Sequence, residues 1–290
     1  MTRIISNLSD ISQDYDALFV DLWGCLHNGV TAFPDAVKAL QDYRAGGGVV
    51  VLVTNSPRAR AEVYKQLGHF GVPDDAWDTI ATSGDSARAA MFEGAVGDRI
   101  FFIGSDAELS FFEPMKLIDA PAQITRVPLD EANGIVCTGP FDALADPSVL
   151  RPQLLLAKQK GLKLLCANPD IIVDRGEARE WCAGAVARLY TEMGGESLYF
   201  GKPHPPIYDL ARRRLAEVAP DLDAPRILAI GDGPKTDIEG AMGEDLDCLF
   251  VTGGLAAEET KTTTQPEEAA LVDYIAREGI NPTFSIGFLR

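Results

Sequence analysis

Polar clusters that could do chemistry follow four short apolar runs. Asp21 follows Ala17 to Val20, and Thr54-Asn55-Ser56 follows Val49 to Val53. Lys202, within Gly201-Lys202-Pro203, follows Leu198 to Phe200, and Asp232 with Asp237 follows Ile227 to Ile230. Such runs suit strands buried on both faces of a parallel sheet, whose carboxyl ends share one ligand-binding edge. Each cluster supplies a different part of a phosphoryl-transfer centre. Asp21 would be a nucleophile able to form an aspartyl-phosphate. Asp21 and Asp232 offer the hard oxygens that Mg²⁺ prefers. Thr54 gives a hydroxyl, the helix start after Ser56 gives backbone N–H groups, and Lys202 gives a point charge. That charge would neutralise Asp21 and the negative charge developing on a phosphoryl group. Singly, each residue reads as well as a turn former, a cap or a solvated surface group. Their coincidence at four strand ends, in this order, favours the joint reading.

The elements that must position them alternate strand with helix, as a parallel sheet with crossover helices requires. Pro34 to Tyr43, Arg58 to Phe70, Gly84 to Phe92 (capped by Ser83), Val149 to Gln159, Glu180 to Met193, Ile207 to Val218, Ile238 to Met242 and Glu267 to Glu278 read as helices. Thr79 to Ser83, Ile100 to Ile103, Gly134 to Thr138, Leu162 to Cys166 and Cys248 to Val251 add further strands. The texture changes after residue 84, where prolines 114, 121 and 128 interrupt the chain. Residues 85–185 therefore read as an inserted α/β module, and residues 1–84 and 186–290 as the core.

Composition narrows the function. The 290 residues carry 26 Lys and Arg against 43 Asp and Glu, a net charge of −17. So acidic a surface repels phosphate backbones, which argues against a nucleic-acid partner. No apolar run approaches the ~18 residues of a membrane span, and the amino terminus lacks a signal-peptide core. The five cysteines are an odd, widely spaced set without a CxxC pair. Cys137, Cys166 and Cys248 read as buried thiols in a reducing cytoplasm, and a cysteine metal site is not expected.

Asp21 in DLWGCLHNG, Thr54-Asn55-Ser56 in LVTNSPR, Lys202 in FGKPHPP, and Asp232 with Asp237 in GDGPKTDIEGA together resemble the four motifs of the haloacid dehalogenase superfamily. The GKP form of the third motif and the insertion before it resemble the nitrophenylphosphatase-like class IIA branch. The segments 82–92 and 167–176 resemble those that flank that branch's cap. The resemblance implies a three-layer parallel-sheet core with an inserted α/β cap of the C2 type, magnesium, and hydrolysis of a small phosphorylated metabolite. It implies Asp21 as nucleophile and Asp21, Asp232 and the Trp23 backbone carbonyl as metal ligands, with Asp237 acting through water. It also implies phosphate binding by Leu22, Trp23, Thr54, Asn55 and Lys202, and pairing of two copies through the cap. Asn168, Asp170 and Arg175, at the return from cap to core, would face the substrate, as would His27.

One position departs from the pattern. The family has a second aspartate two residues after the nucleophile, which protonates the leaving group and then activates water, and here Trp23 stands there. An indole N–H donates a hydrogen bond but does not exchange a proton near neutral pH. The loss, about 10²–10⁴-fold in rate, falls hardest on alkyl esters and least on acyl or aryl phosphates, whose leaving groups depart unprotonated. His27 is the nearby group able to titrate. Two alternatives follow: a phosphate-ligand binding or regulatory protein, and a metal-free reaction such as C–Cl cleavage. The paired acids Asp232 and Asp237 weigh against the second of these.

Overall fold

The computed structural model describes residues 2–115, 121–175 and 178–290. Its chain forms two compact units: Met1–Thr54, Tyr64–Ala81 and Tyr208–Arg290 make the first, and Asn55–Val63 and Thr82–Ile207 the second. In chain order the elements are β1 (Arg3–Ile4), β2 (Ala17–Val20), α1 (Pro34–Ala45), β3 (Val49–Thr54), α2 (Arg60–Phe70), β4 (Thr79–Thr82) and α3 (Ser83–Phe92). The insertion continues with β5 (Arg99–Ile103), β6 (Thr125–Arg126), β7 (Gly134–Cys137), α4 (Arg151–Gln159), β8 (Lys163–Cys166), β9 (Ile172–Arg175), β10 (Ala178–Trp181), α5 (Ala183–Glu192) and β11 (Glu196–Tyr199). The chain ends with α6 (Pro205–Val218), β12 (Ile227–Gly231), α7 (Glu239–Gly243), β13 (Asp247–Val251), α8 (Glu268–Glu278) and β14 (Phe284–Ile286).

Among the described residues the first unit's sheet has seven strands, in the order β1-β14-β13-β12-β2-β3-β4. All four residues of β2 are buried, as are five of the six in β3, so both are covered on both faces. β2 pairs in parallel with β3 on one side (Val20 opposite Leu52) and with β12 on the other (Val20 opposite Ile230). The ends of these three strands therefore lie level. α1 starts on Pro34, whose fixed φ suits the first helical turn, and α8 ends where Gly279 turns left-handed at φ 68°. Behind β12 and β13, Phe250 stacks on Tyr274 at 6.0 Å, and Ile238, Ala241 and Leu271 fill the space around them.

The second unit holds a five-stranded parallel sheet in the order β11-β8-β7-β5-β6, and an antiparallel hairpin of β9 with β10. Its core gathers Ile135, Leu154, Leu164, Val186 and the fully buried Tyr190, whose hydroxyl donates to Leu162 O at 2.5 Å. The expected α/β architecture with a second unit is present, and that unit, Asn55–Val63 with Thr82–Ile207, differs in extent from residues 85–185. β11 hydrogen-bonds to β8, and α5 packs on the same sheet, so the second unit runs on to Ile207. The helix expected from Glu180 starts only at Ala183, because residues 178–181 pair with β9 instead. The cap of α3 is Thr82, whose hydroxyl accepts from Asp85 N–H at 2.9 Å, and Ser83 lies within the helix.

Candidate active site and cation site

In the first unit the arrangement is built from strand ends. Asp21 is the first residue beyond β2, and its N–H donates to Ile230 O on β12 at 2.8 Å. Asp232 follows β12 and Thr54 ends β3, so all three residues lie on one edge of the sheet, and all three are buried. The register carries this: Val20, Leu52 and Ile230 are level, so the next residue or two on each strand emerge together.

The segment after Asp21 folds back tightly. Leu22 O accepts from the N–H groups of Leu26 (2.8 Å) and His27 (3.1 Å), and Gly24 N–H donates to His27 O (3.0 Å). This turn returns Cys25 to Asp21. Oxygens of Asp21 and Asp232 and the Cys25 sulfur all lie within 4.8 Å of one another, and all three side chains are buried. Gly24 makes the approach feasible. Its φ is +72°, and a Cβ there would fall 2.1 Å from Asp232 Oδ2. Asp232 is further fixed by Leu255 N–H, which donates to Oδ2 at 3.0 Å.

Two carboxylates buried so close together repel each other, and a cation between them relieves both that repulsion and the cost of burial. The oxygen pair suits a hard divalent ion such as Mg²⁺. Asp237 lies outside this group of three. Its Oδ2 accepts from Gly233 N–H at 3.0 Å, closing the turn Pro234–Ile238 that follows Asp232. It therefore holds the segment that carries Asp232.

Trp23 is half-buried, with its indole lying over Gly29, where a Cβ would meet the ring at 2.1 Å. The indole also meets the His27 ring edge-on at 5.4 Å, and His27 in turn packs against Phe70 at 4.8 Å. His27 is buried, and its Nδ1 accepts from Gly29 N–H at 3.0 Å. Burial disfavours the imidazolium and lowers its pKa to about 4, so the ring is neutral at pH 7. The expectation that His27 faces a substrate thus meets a different finding: the ring is a neutral acceptor inside the turn.

In the second unit, Asn55 and Lys202 are both buried, and the Asn55 amide clamps the Lys202 main chain. Asn55 Oδ1 accepts from Lys202 N–H at 2.7 Å, and Nδ2 donates to Lys202 O at 3.1 Å and to Asp170 Oδ1 at 2.7 Å. Both N–H donors of Asn55 are engaged, so anything it gives a phosphate comes from its main chain. Asn168 Oδ1 accepts from Asp170 N–H at 3.0 Å. Asn168 and Asp170 are therefore engaged within this loop system. Arg175 ends β9, and its side chain lies outside the described residues.

Sequence reading missed Cys25 as a member of the first-unit site. The signal that would have found it is a cysteine four residues after the nucleophile, with a glycine between to turn the chain.

Family models described as haloacid dehalogenase-like hydrolase and as HAD-hydrolase-like match residues 18–117 and 199–277. A crystal structure of a haloacid dehalogenase-like family hydrolase from Brucella suis 1330 is 39% identical, with a TM-score of 0.85, over 99% of this chain and 100% of that one. The chain belongs to the haloacid dehalogenase-like hydrolases. Among its relatives in this family is the D-glycerol 3-phosphate phosphatase of Mycobacterium tuberculosis, 26% identical over 86% of this chain. The match spans 66% of that enzyme's length. The human glycerol-3-phosphate phosphatase is 25% identical over 78% of this chain and 75% of its own. A glycerol phosphate phosphatase from M. tuberculosis in complex with magnesium aligns with a TM-score of 0.61 at 25% identity, over 84% of this chain and 70% of that one.

Proposed function

We propose that this hydrolase is a Mg²⁺-dependent phosphohydrolase acting on a small phosphorylated metabolite through Asp21. The observation that carries the proposal is the pair of buried carboxylates, Asp21 and Asp232, facing each other at adjacent strand ends. Two of the relatives named above are glycerol 3-phosphate phosphatases, and the solved glycerol phosphate phosphatase contains magnesium. Asp21, Asp232 and the Trp23 carbonyl would hold the ion, with Asp237 reaching it through water. When bound, the ion would offset the charge on the phosphoryl oxygens.

The chain's own groups do the rest. Asp21 attacks phosphorus, its carboxylate oxygen forms the new P–O bond, and the leaving group departs with the electron pair of the broken bond. Thr54 and the main-chain N–H groups of Leu22 and Trp23 bind the phosphoryl oxygens, and the part given to the Asn55 main chain rests on the motif. The role of Lys202 as counter-charge rests on the GKP motif. Water then cleaves the aspartyl-phosphate. Trp23 supplies no proton to the leaving group and takes none from that water, so aryl and acyl phosphates are the favoured substrates.

Packing of the Trp23 indole against Gly29 and His27 favours a second reading, a phosphate-binding regulatory protein with little turnover. A rapid-quench time course separates the two. The wild type and Asp21→Asn would be followed on aryl, acyl and alkyl phosphates with Mg²⁺, together with mass spectrometry of the Asp21 peptide. The enzyme reading expects a burst on aryl phosphate, phosphorylated Asp21, and loss of both in Asp21→Asn. Linear release at a rate untouched by Asp21→Asn, with no modified peptide, leaves the binding reading.

A further inference from the structure

Cys25 is the member of the buried cluster that magnesium chemistry does not need. Mg²⁺ takes oxygen ligands and keeps several waters, whereas a thiolate belongs with softer ions. A buried cysteine is usually a small core residue. The Cys25 sulfur instead faces two carboxylates at no more than 4.8 Å, brought there by a turn that needs glycine at position 24. Three of the other four thiols are engaged differently: Cys137 donates to Gly139 O, Cys166 to Asn168 O, and Cys248 packs in the core around Phe250. Among the described residues, no other set of three His, Cys, Asp or Glu ligands lies as close together.

We propose that Asp21, Cys25 and Asp232 form a binding site for a thiophilic divalent cation of the zinc class, which competes with magnesium. The proposal rests on the cation site assigned above to Asp21 and Asp232, and it adds a third ligand of different chemistry. Zinc binds carboxylate oxygen at about 2.0–2.2 Å and thiolate sulfur at about 2.3 Å in a tetrahedron, which sets ligand separations near 3.6 Å. Contraction from within 4.8 Å is a shift of about 1 Å, within reach of side-chain rotation. Three protein ligands leave the fourth position open to water or a phosphate oxygen. The thiol gives its proton to water as the S–metal bond forms, so the ion and its three anionic ligands carry a net charge of −1. A zinc-class ion held this way occupies the oxygens of Asp21, and its binding excludes magnesium.

The test uses the full-length protein, freed of metal and titrated with Co²⁺ as a spectroscopic stand-in for Zn²⁺. Mg²⁺ and Zn²⁺ affinities are measured alongside by calorimetry. The wild type should develop a thiolate-to-cobalt charge-transfer band in the near ultraviolet, and Cys25→Ser should lose it. Cys25→Ala serves as the second variant, and circular dichroism checks that both fold. Zn²⁺ affinity should fall at least about tenfold in both, since losing even an outer partner of a ligand costs 10–100-fold. Mg²⁺ affinity should stay within about threefold, because its carboxylate ligands remain. Co²⁺ binding without the band, or a band that persists in both Cys25 variants, overturns the proposal and leaves the magnesium site standing. A wild type that binds neither Co²⁺ nor Mg²⁺ overturns the site altogether, and with it the reading as a magnesium enzyme.

Discussion

Replacing Asn55 by Asp changes one group of atoms and should unsettle the whole Lys202 loop. The amide donates from Nδ2 to Asp170 at 2.7 Å and to Lys202 O at 3.1 Å. A bond to a charged acceptor contributes about 1.5–3 kcal/mol and a neutral one about 0.5–1.5 kcal/mol, so losing both costs roughly 2–4.5 kcal/mol. The new carboxylate also faces that of Asp170. If the two relax to about 4 Å at an effective dielectric of about 20, their repulsion is about 4 kcal/mol. Partial exposure of Asp170 screens some of this, so a total of at least about 3 kcal/mol is expected. Urea unfolding followed by circular dichroism measures it. Asn55→Ala, which lacks the repulsion, should be less damaging than Asn55→Asp. Adding Asp170→Asn to Asn55→Asp reverses donor and acceptor and should recover part of the loss, while leaving Lys202 O without its donor. Asn55→Asp within about 1 kcal/mol of wild type, or a double variant no more stable than the single one, would refute this account of the clamp.

Two further outcomes follow from the first unit. Gly24→Ala places a methyl group 2.1 Å from Asp232 Oδ2 on a backbone at φ +72°, so the carboxylate or the turn must move. Mg²⁺ affinity should fall at least about tenfold by calorimetry, with a stability cost of about 1–2 kcal/mol from the left-handed backbone. His27 has its pKa lowered to about 4 from 6.5, so the unfolded chain binds the proton more readily than the folded one. Its contribution is complete above about pH 6.5 and is lost as the pH falls from there towards 4, amounting to about 2 kcal/mol between pH 7.5 and 5. His27→Asn keeps an acceptor for Gly29 N–H and should lose stability over that range by about 2 kcal/mol less than the wild type, as urea unfolding at both pH values would show.

Much of the first unit could be read from sequence because a buried parallel strand writes itself as a β-branched run ending in a polar residue. The sequence therefore assigns Asp21, Thr54 and Asp232 to one edge; it assigns Lys202 there too, but the strand before Lys202 belongs to the second unit's sheet. Sheet membership is a different matter. Leu198-Tyr199-Phe200 looks like a strand of either sheet, and only its pairing with β8 assigns it to the second unit. The β9–β10 hairpin was hidden because Arg179 and Glu180 suit a helix as well as an exposed strand, and the hairpin's cross-strand bonds leave no periodic trace over four residues. Cys25 was hidden for a geometric reason. Its closeness to Asp232 joins residues about 200 apart, and it depends on a left-handed turn at Gly24 that sequence permits but does not announce.

The pairing of β2 with β12 also has a consequence for biosynthesis. Ala17 lies opposite Ile227, 227 − 17 = 210 residues downstream. At about 5–20 residues per second, a ribosome needs roughly 10–40 s to make that partner once β2 has emerged. Over the same interval the inserted sheet can close on much nearer partners: Ile100 pairs with Gly134, and Leu164 with Ser197. Through most of synthesis, then, β2 has β3 on one flank and an open row of backbone donors and acceptors on the other, the kind of edge that chaperones shield. A nascent chain halted before Asp232 would carry the proposed nucleophile without the carboxylate that faces it. Loading with metal would then mark a chain extended past Asp232.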